Sequence, residues 1–308
     1  MKKKNQKLLA LIAFSAAYLI WGVNTSFIKI GVENMPSEFY LFIRFLIAVV
    51  ILAPFLNKNR KRIPKRAWPR VIFATIFGFI LPLLLLNEGL RRTSAINTSL
   101  LFLLGPAIMY ILSVRILKER FNSKILTGLV VSLIGALLIV LAPLITIGSI
   151  KDTPASITGN LIILASVIVA VVGTIIIKPL LKTIQPLQMT VARFNITVLV
   201  LLPFCFNDLA AIRAISWTPE VIVSLVYGTV FATIAAYTLY HYGLSKISGE
   251  ESSVLQYLDP LAGVLGAMLI LGDRLTPVII VGGSLTILGI YLSEIKTKHR
   301  LHILHSHR

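Results

Sequence analysis

Apolar runs long enough to cross a bilayer follow one another along the whole chain, separated by short breaks that carry charge, Pro or Gly. A membrane-spanning helix takes about 20 mostly apolar residues. Ten segments meet that requirement, near 8–30, 37–56, 70–90, 95–117, 124–142, 158–180, 187–206, 221–244, 253–271 and 276–293. The opening MKKKNQK followed by LLALIAFSAA has the order of a cleavable signal. Its apolar run continues through YLIWGVNTSFI, however, and is read as a retained first helix. The connections are short, the longest charged one being NKNRKRIPKRAWPR at 57–70, and none has room for a soluble domain.

A second pattern lies over the first. The stretch LGPAIMYILSVRILKER at 104–120 returns as LDPLAGVLGAMLILGDR at 258–274. That offset of 154 pairs Gly89 with Gly243, Ser99 with Ser253, Pro106 with Pro260, Arg120 with Arg274, Gly128 with Gly282 and Gly135 with Gly289, and sets Glu119 opposite Asp273. Upstream, an offset of 149 pairs Thr25 with Thr174, Lys29 with Lys178, Arg44 with Arg193, Phe45 with Phe194, Pro54 with Pro203 and Trp68 with Trp217. A unit of five helices crosses an odd number of times, so the second copy enters the membrane upside down. The expected fold is an all-α integral membrane protein with ten transmembrane helices as two inverted five-helix repeats. Its parts are a basic N-terminus at 1–7, repeats at 8–142 and 158–294, a loop at 143–157 between them and a basic tail at 295–308.

Repeated residue types have physical tasks. The glycines at 128 and 135, like those at 282 and 289, stand two helical turns apart and form small-residue stripes with Ser132 and Thr286 for close helix packing. Pro106 and Pro260 are expected to remove a hydrogen bond inside helices 4 and 9 and bend them around a cavity. Lys29 and Lys178 fall at helix ends, where snorkelling to the interface is expected.

Composition narrows the class. The chain is 56% hydrophobic and 14% charged, against about 25% charged in soluble domains. Its net charge of +18 sits in short blocks between apolar runs. No basic face with interleaved aromatics results, so a nucleic-acid partner is not expected. The Lys and Arg of 2–7, 58–70, 118–124, Lys182, Lys246 and the tail lie on one side, against Arg91, Arg92, Lys151, Arg213 and Arg274 on the other. Both termini are therefore expected in the cytoplasm. The lone Cys205 reads as packing, and the tail histidines 299, 302, 305 and 307 form no closed ligand set, so neither a metal nor a cofactor is expected.

At the repeated motifs, SLLFLLGPAIMYILSVRILKERFNSKILTGLVVSLIGALLIV and SVLQYLDPLAGVLGAMLILGDRLTPVIIVGGSLTILGIYL, the chain resembles the EamA-like branch of the drug/metabolite transporter superfamily, over about 8–294. The resemblance implies a carrier of small metabolites working outward across the bacterial inner membrane. One departure is Gly105, where Asp259 stands in the second copy.

Ionisable groups inside a bilayer are costly and mark function by default. Asp259 reads as a proton acceptor or as the counter-ion of a substrate amine, with a local structural role as the alternative. Arg44 and Arg193 sit two turns inside helices 2 and 7, suited to a substrate carboxylate or to structural pairing. Trp21, Asn24, Thr25, Asn87, Glu88, Asn97, Tyr237, Tyr240, His241, Gln256 and Tyr257 supply polar and aromatic lining for a site, or equally an aromatic belt and interhelical hydrogen bonds. No HExxH, GxSxG, Walker A or dinucleotide fingerprint is present. The expectation is a secondary transporter, not an enzyme, exporting amino acids or related compounds, with lipophilic amines as an alternative cargo and a polytopic membrane enzyme as the alternative class. Its partners are a small-molecule substrate and the lipid bilayer, and it works as a monomer or homodimer.

Overall fold

The computed structural model describes residues 2–53, 63–105, 108, 112, 123–145, 156–177, 180, 183–207, 209–244, 246 and 255–305, all helical or connecting, with no strand among them. The helices are α1 (Lys2–Asn34), α2 (Ser37–Leu52), α3 (Lys65–Arg92), α4 (Ala95–Phe102), α5 (Ser123–Ile145), α6 (Ile157–Ile177), α7 (Pro186–Asn207) and the short α8 (Leu209–Arg213). After these come α9 (residues 219–244), α10 (Leu258–Leu271) and α11 (Pro277–His305). Pro106, the charged pair at 119–120 and Lys178 lie outside the described residues.

Five of these helices are long and apolar enough to cross a membrane: α1, α3, α6, α7 and α9. Across the bundle large apolar side chains stay exposed, as at Val50, Leu199 and Leu269, whereas Asn87, Asn97 and Asn160 are fully buried. Apolar outside and polar inside is the arrangement a lipid solvent selects.

Packing pairs helices that hold the same place in the two halves of the sequence. α2 crosses α7 where Phe45 meets Phe194, ring centroids 5.1 Å apart. α5 lies along α11, with Thr286 Oγ1 donating to Gly282 O at 2.8 Å and approaching Ser132 O at 3.5 Å. Glycine makes that seam possible: a Cβ on Gly135 would stand 2.5 Å from Gly282 O and Thr286 N, and one on Gly289 would run into the Ser132 and Gly128 backbones. α1 packs instead on α9, the counterpart of α3, and α3 on α6, the counterpart of α1, the latter through Gly78 against Gly173.

Two helices contain a widened, π-helical stretch, Ile76–Ile80 in α3 and Tyr227–Ala235 in α9, and α10 ends in a third, Ala267–Leu271. Such stretches displace carbonyls from the regular ladder and recur at functional sites. Pro260 differs from expectation. It lies in the first turn of α10, where an N–H has no intrahelical partner to lose, and the chain breaks at Tyr257 before it. α10 ends at Gly272, φ +71°, with Asp273 N donating back to Ala267 O at 3.1 Å.

One end of the bundle is tied at the α3–α4 turn. Lys29 was expected to snorkel; instead it is 4% exposed and donates to Leu90 O and Thr93 O, each at 2.9 Å, while pairing with Glu33 at 2.9 Å. The closing carbonyls of α3 lack helical partners, and a buried ammonium at that negative end satisfies them. Asp273 accepts from Ala95 N at 3.1 Å and Ile96 N at 3.4 Å, capping α4 from the far side. Burial raises the Asp273 carboxyl above its ordinary pKa, against the opposing pull of these N–H groups and Lys29. From α6, Asn160 accepts from Thr93 at 2.5 Å and donates to the carbonyls of Ile139 and Val140, both at 3.2 Å.

Candidate functional site

A cavity of about 190 Å³ lies among α1, α2, α3, α4, α9 and α10. Its polar lining is Trp21, Asn24 and Thr25 from α1, Arg44 from α2, Thr233 and Tyr237 from α9 and Asp259 from α10. Phe45, Leu83, Leu86 and Phe102 supply part of the apolar remainder.

Arg44 is positioned by the widened stretch of α9. There the Gly228 carbonyl accepts from Thr233 Oγ1, five residues on, at 2.7 Å, and from Arg44 Nη2 at 3.0 Å; Nη2 also reaches Thr233 Oγ1 at 3.1 Å. A Cβ at 228 would stand 2.8 Å from Arg44 Nε, so glycine is what lets the guanidinium approach. The side chain is 5% exposed and lies over Tyr40, 5.2 Å from its ring centroid. Nε and Nη1 have no hydrogen-bond partner among the described residues. A buried cation with free donors is costly unless something pairs with it, and a carboxylate matches a guanidinium edge in shape and charge.

Asp259 supplies the opposite sign. It stands in the first turn of α10, where the helix dipole favours negative charge. Close packing brings it to the cavity: Gly22 of α1 abuts the Asp259 carbonyl, and a Cβ on Gly22 would lie 2.7 Å from Ala262 Cβ.

An aromatic wall connects the two regions. Trp21 donates Nε1–H to Ala232 O at 2.8 Å, and its ring lies 5.0 Å from Tyr237, 5.3 Å from Tyr240 and 5.3 Å from Tyr18. Tyr237 continues to Phe194 at 5.7 Å.

Six residues named from the sequence thus share the cavity: Trp21, Asn24, Thr25, Arg44, Tyr237 and Asp259. Tyr240 stands behind Trp21. Asn87 is buried beside the lining residue Leu86 and donates to Ser37 O at 3.4 Å. Others go elsewhere. Glu88 pairs with Arg92 one turn on, both partly exposed. Asn97 joins the Thr93–Asn160 knot, 3.3 Å from Asn160 Oδ1. Gln256 is half-buried ahead of α10 and Tyr257 lines a separate apolar groove of about 510 Å³ between α4, α10 and α11. The side chain of His241 lies outside the described residues. Arg193 is stacked on Phe79, 4.7 Å from its centroid, and does not line the cavity. Sequence reasoning passed over Tyr18, Thr233 and Gly228. The YLIW run placed Tyr18 one turn from Trp21, but nothing marks in advance which carbonyl a π-helical stretch will free.

Two stretches, residues 8–141 and 157–295, match the model of the EamA-like transporter family. The chain belongs to that family. An uncharacterized transporter of Archaeoglobus fulgidus is 26% identical over 91% of this chain and 97% of its own length. The uncharacterized transporter YetK of Bacillus subtilis is 26% identical over 94% of this chain and 88% of its own. A protein of Salmonella typhimurium named as a probable amino-acid metabolite efflux pump is 24% identical over 89% of this chain and 91% of its own. A solved structure superposes with a TM-score of 0.58 at 16% identity, covering 93% of this chain and 96% of that one, which supports the fold alone. An EamA-like chain with several apolar helices is a multi-pass membrane protein, and the fixed polar groups of its cavity are where cargo selection is sought.

Proposed function

We propose that this EamA-like transporter is a ten-helix secondary exporter of amino acids or related zwitterions, working by alternating access in the inner membrane with both termini cytoplasmic. The ten helices form two inverted five-helix repeats, a reading supported by the pairing of α2 with α7 and of α5 with α11 at residues of equal place in the two copies. One observation carries the substrate class. The cavity that holds Asp259 also holds a buried Arg44 with two nitrogens that have no partner among the described residues. An α-amino acid offers a carboxylate to the second and an ammonium to the first. The name of the Salmonella relative agrees with this direction.

The test is counterflow in proteoliposomes with a panel of radiolabelled amino acids and amine drugs, for the wild type, Arg44→Gln and Asp259→Asn. Saturable amino-acid exchange is expected, with each variant lowering kcat/KM by about a hundredfold, the effect of about 2.7 kcal/mol at 1.36 kcal/mol per decade. Wild-type exchange of amine drugs that Arg44→Gln leaves intact would replace the zwitterion reading with that of a lipophilic amine. Absence of exchange for both classes would overturn both.

A further inference from the structure

Arg193 holds in the second half of the sequence the place Arg44 holds in the first, 149 residues on, and each stands seven residues inside its helix, α7 from Pro186 and α2 from Ser37. At 1.5 Å per residue both lie about 10 Å from the start of their helices. The helices cross at Phe45 and Phe194, the residues next to the two arginines. Their surroundings correspond as well. Arg44 bonds to Gly228 in the widened stretch of α9, and Arg193 stacks on Phe79, the residue 149 positions before Gly228, in the widened stretch of α3. Tyr237 stands within electrostatic reach of both guanidiniums.

The two differ in what they touch. Arg44 lines the cavity; Arg193 does not, and its buried Nε has no hydrogen-bond partner among the described residues. Phe79 offers its ring face to Arg193, 4.7 Å from its centroid, which attracts the cation but accepts no N–H in the guanidinium plane. An arginine whose buried in-plane donor has no partner among the described residues, beside the wall of a site that already holds an arginine, is more than packing requires.

Resting on the zwitterion reading above, we infer that Arg193 is a second carboxylate-binding residue, serving the half of the transport path nearest the start of α7 as Arg44 serves the half nearest the start of α2. In the arrangement observed, the cavity belongs to Arg44. When the two halves exchange arrangements, the cavity shifts along the Phe45–Phe194 crossing and Arg193 meets the carboxylate in its place. Because α2 and α7 start at opposite faces under this topology, the two arginines set affinity at opposite faces.

The experiment measures exchange of L-phenylalanine, chosen for the aromatic wall, and of its decarboxylated analogue phenethylamine. It uses proteoliposomes of uniform orientation, verified by access of an impermeant thiol reagent to R308C in a C205S background. Arg193→Lys keeps the charge where Arg193→Gln fails to fold. Expected is a tenfold or greater rise in the L-phenylalanine KM at the cytoplasmic face for the Arg193 variants and at the opposite face for Arg44→Gln, with phenethylamine KM unmoved by the Arg193 variants. Equal KM changes at the two faces for a folded Arg193 variant, or none at either, would overturn the inference while leaving the carrier reading intact. Wild-type protein that exchanges phenethylamine but not L-phenylalanine, or neither, would remove the carboxylate reading and this inference together.

Discussion

Replacing Lys29 by Met tests whether the α3–α4 turn is held by a buried charge. The substitution keeps the length of the side chain and removes its ammonium, which donates to Leu90 O and Thr93 O and pairs with Glu33. Hydrogen bonds from a charged donor contribute about 1.5–3 kcal/mol each, so the two carbonyls account for about 3–6 kcal/mol. The ion pair adds little, since the Glu33 side chain is 44% exposed and solvent screens it. Against this, Met spares the fold the desolvation of an ammonium, which returns part of the gain. A net loss of about 2–4 kcal/mol is expected. At roughly 2–3 °C per kcal/mol for a large chain, the unfolding midpoint in detergent falls by about 5–10 °C. Thermal unfolding followed by tryptophan emission, with size-exclusion recovery alongside, measures it, and Glu33→Gln is the control that leaves both carbonyl bonds in place. A Lys29→Met protein that melts within about 1 °C of the wild type, or a Glu33→Gln protein equally destabilised, would refute the argument.

Two further expectations concern the same bundle. Gly135→Ala places a Cβ against backbone on the facing helix and should cost at least the 1–3 kcal/mol typical of overpacking. Gly272→Ala meets nothing within 4 Å and pays only for its positive φ, about 1–2 kcal/mol; detergent melting curves that rank the two the other way would contradict the seam. At Asp273 the folded carboxyl titrates above its unfolded value. Its contribution to stability is therefore greatest below the unfolded pKa and declines as pH rises through the folded one. Asp273→Asn, which keeps an oxygen for the Ala95 and Ile96 N–H groups, should gain on the wild type as pH rises through that range, whereas Asp273→Ala should lose about 1 kcal/mol by forfeiting the cap. A melting series across pH in which Asp273→Asn falls progressively behind the wild type would reverse the sign.

Much of the architecture could be read in advance, and the reason differs from one element to the next. Helices such as α6 and α7 announce themselves by length and apolar content, which lipid demands locally. The α5–α11 seam was visible because only a residue without a side chain serves where two backbones touch, and Gly135 and Gly289 recur at one offset. Trp21, Asn24, Thr25, Arg44, Tyr237 and Asp259 could be gathered as costly or amphipathic residues within apolar runs. Their sharing one cavity depends on which helices adjoin, and that is decided by packing far apart in sequence. Lys29 misled because a helix-end lysine ordinarily finds water; here the end of α3 reaches it first. Glu88 and Arg92 carried the spacing of a surface pair, and that local signal outweighed their place beside Asn87.

The meeting of counterparts at Phe45 and Phe194, and of Ser132 with Thr286, bears on how such a molecule can change. Had the two halves been separate identical chains, each of these contacts would join a residue to its own copy, and every substitution would strike both sides at once. Within a single chain one partner can be altered while the other stays, as where serine meets threonine, or where one arginine finds a glycine carbonyl and the other a phenylalanine ring. Covalent linkage thereby loosens a symmetry that geometry alone would enforce, and lets the two halves of one chain diverge in what their matching residues touch.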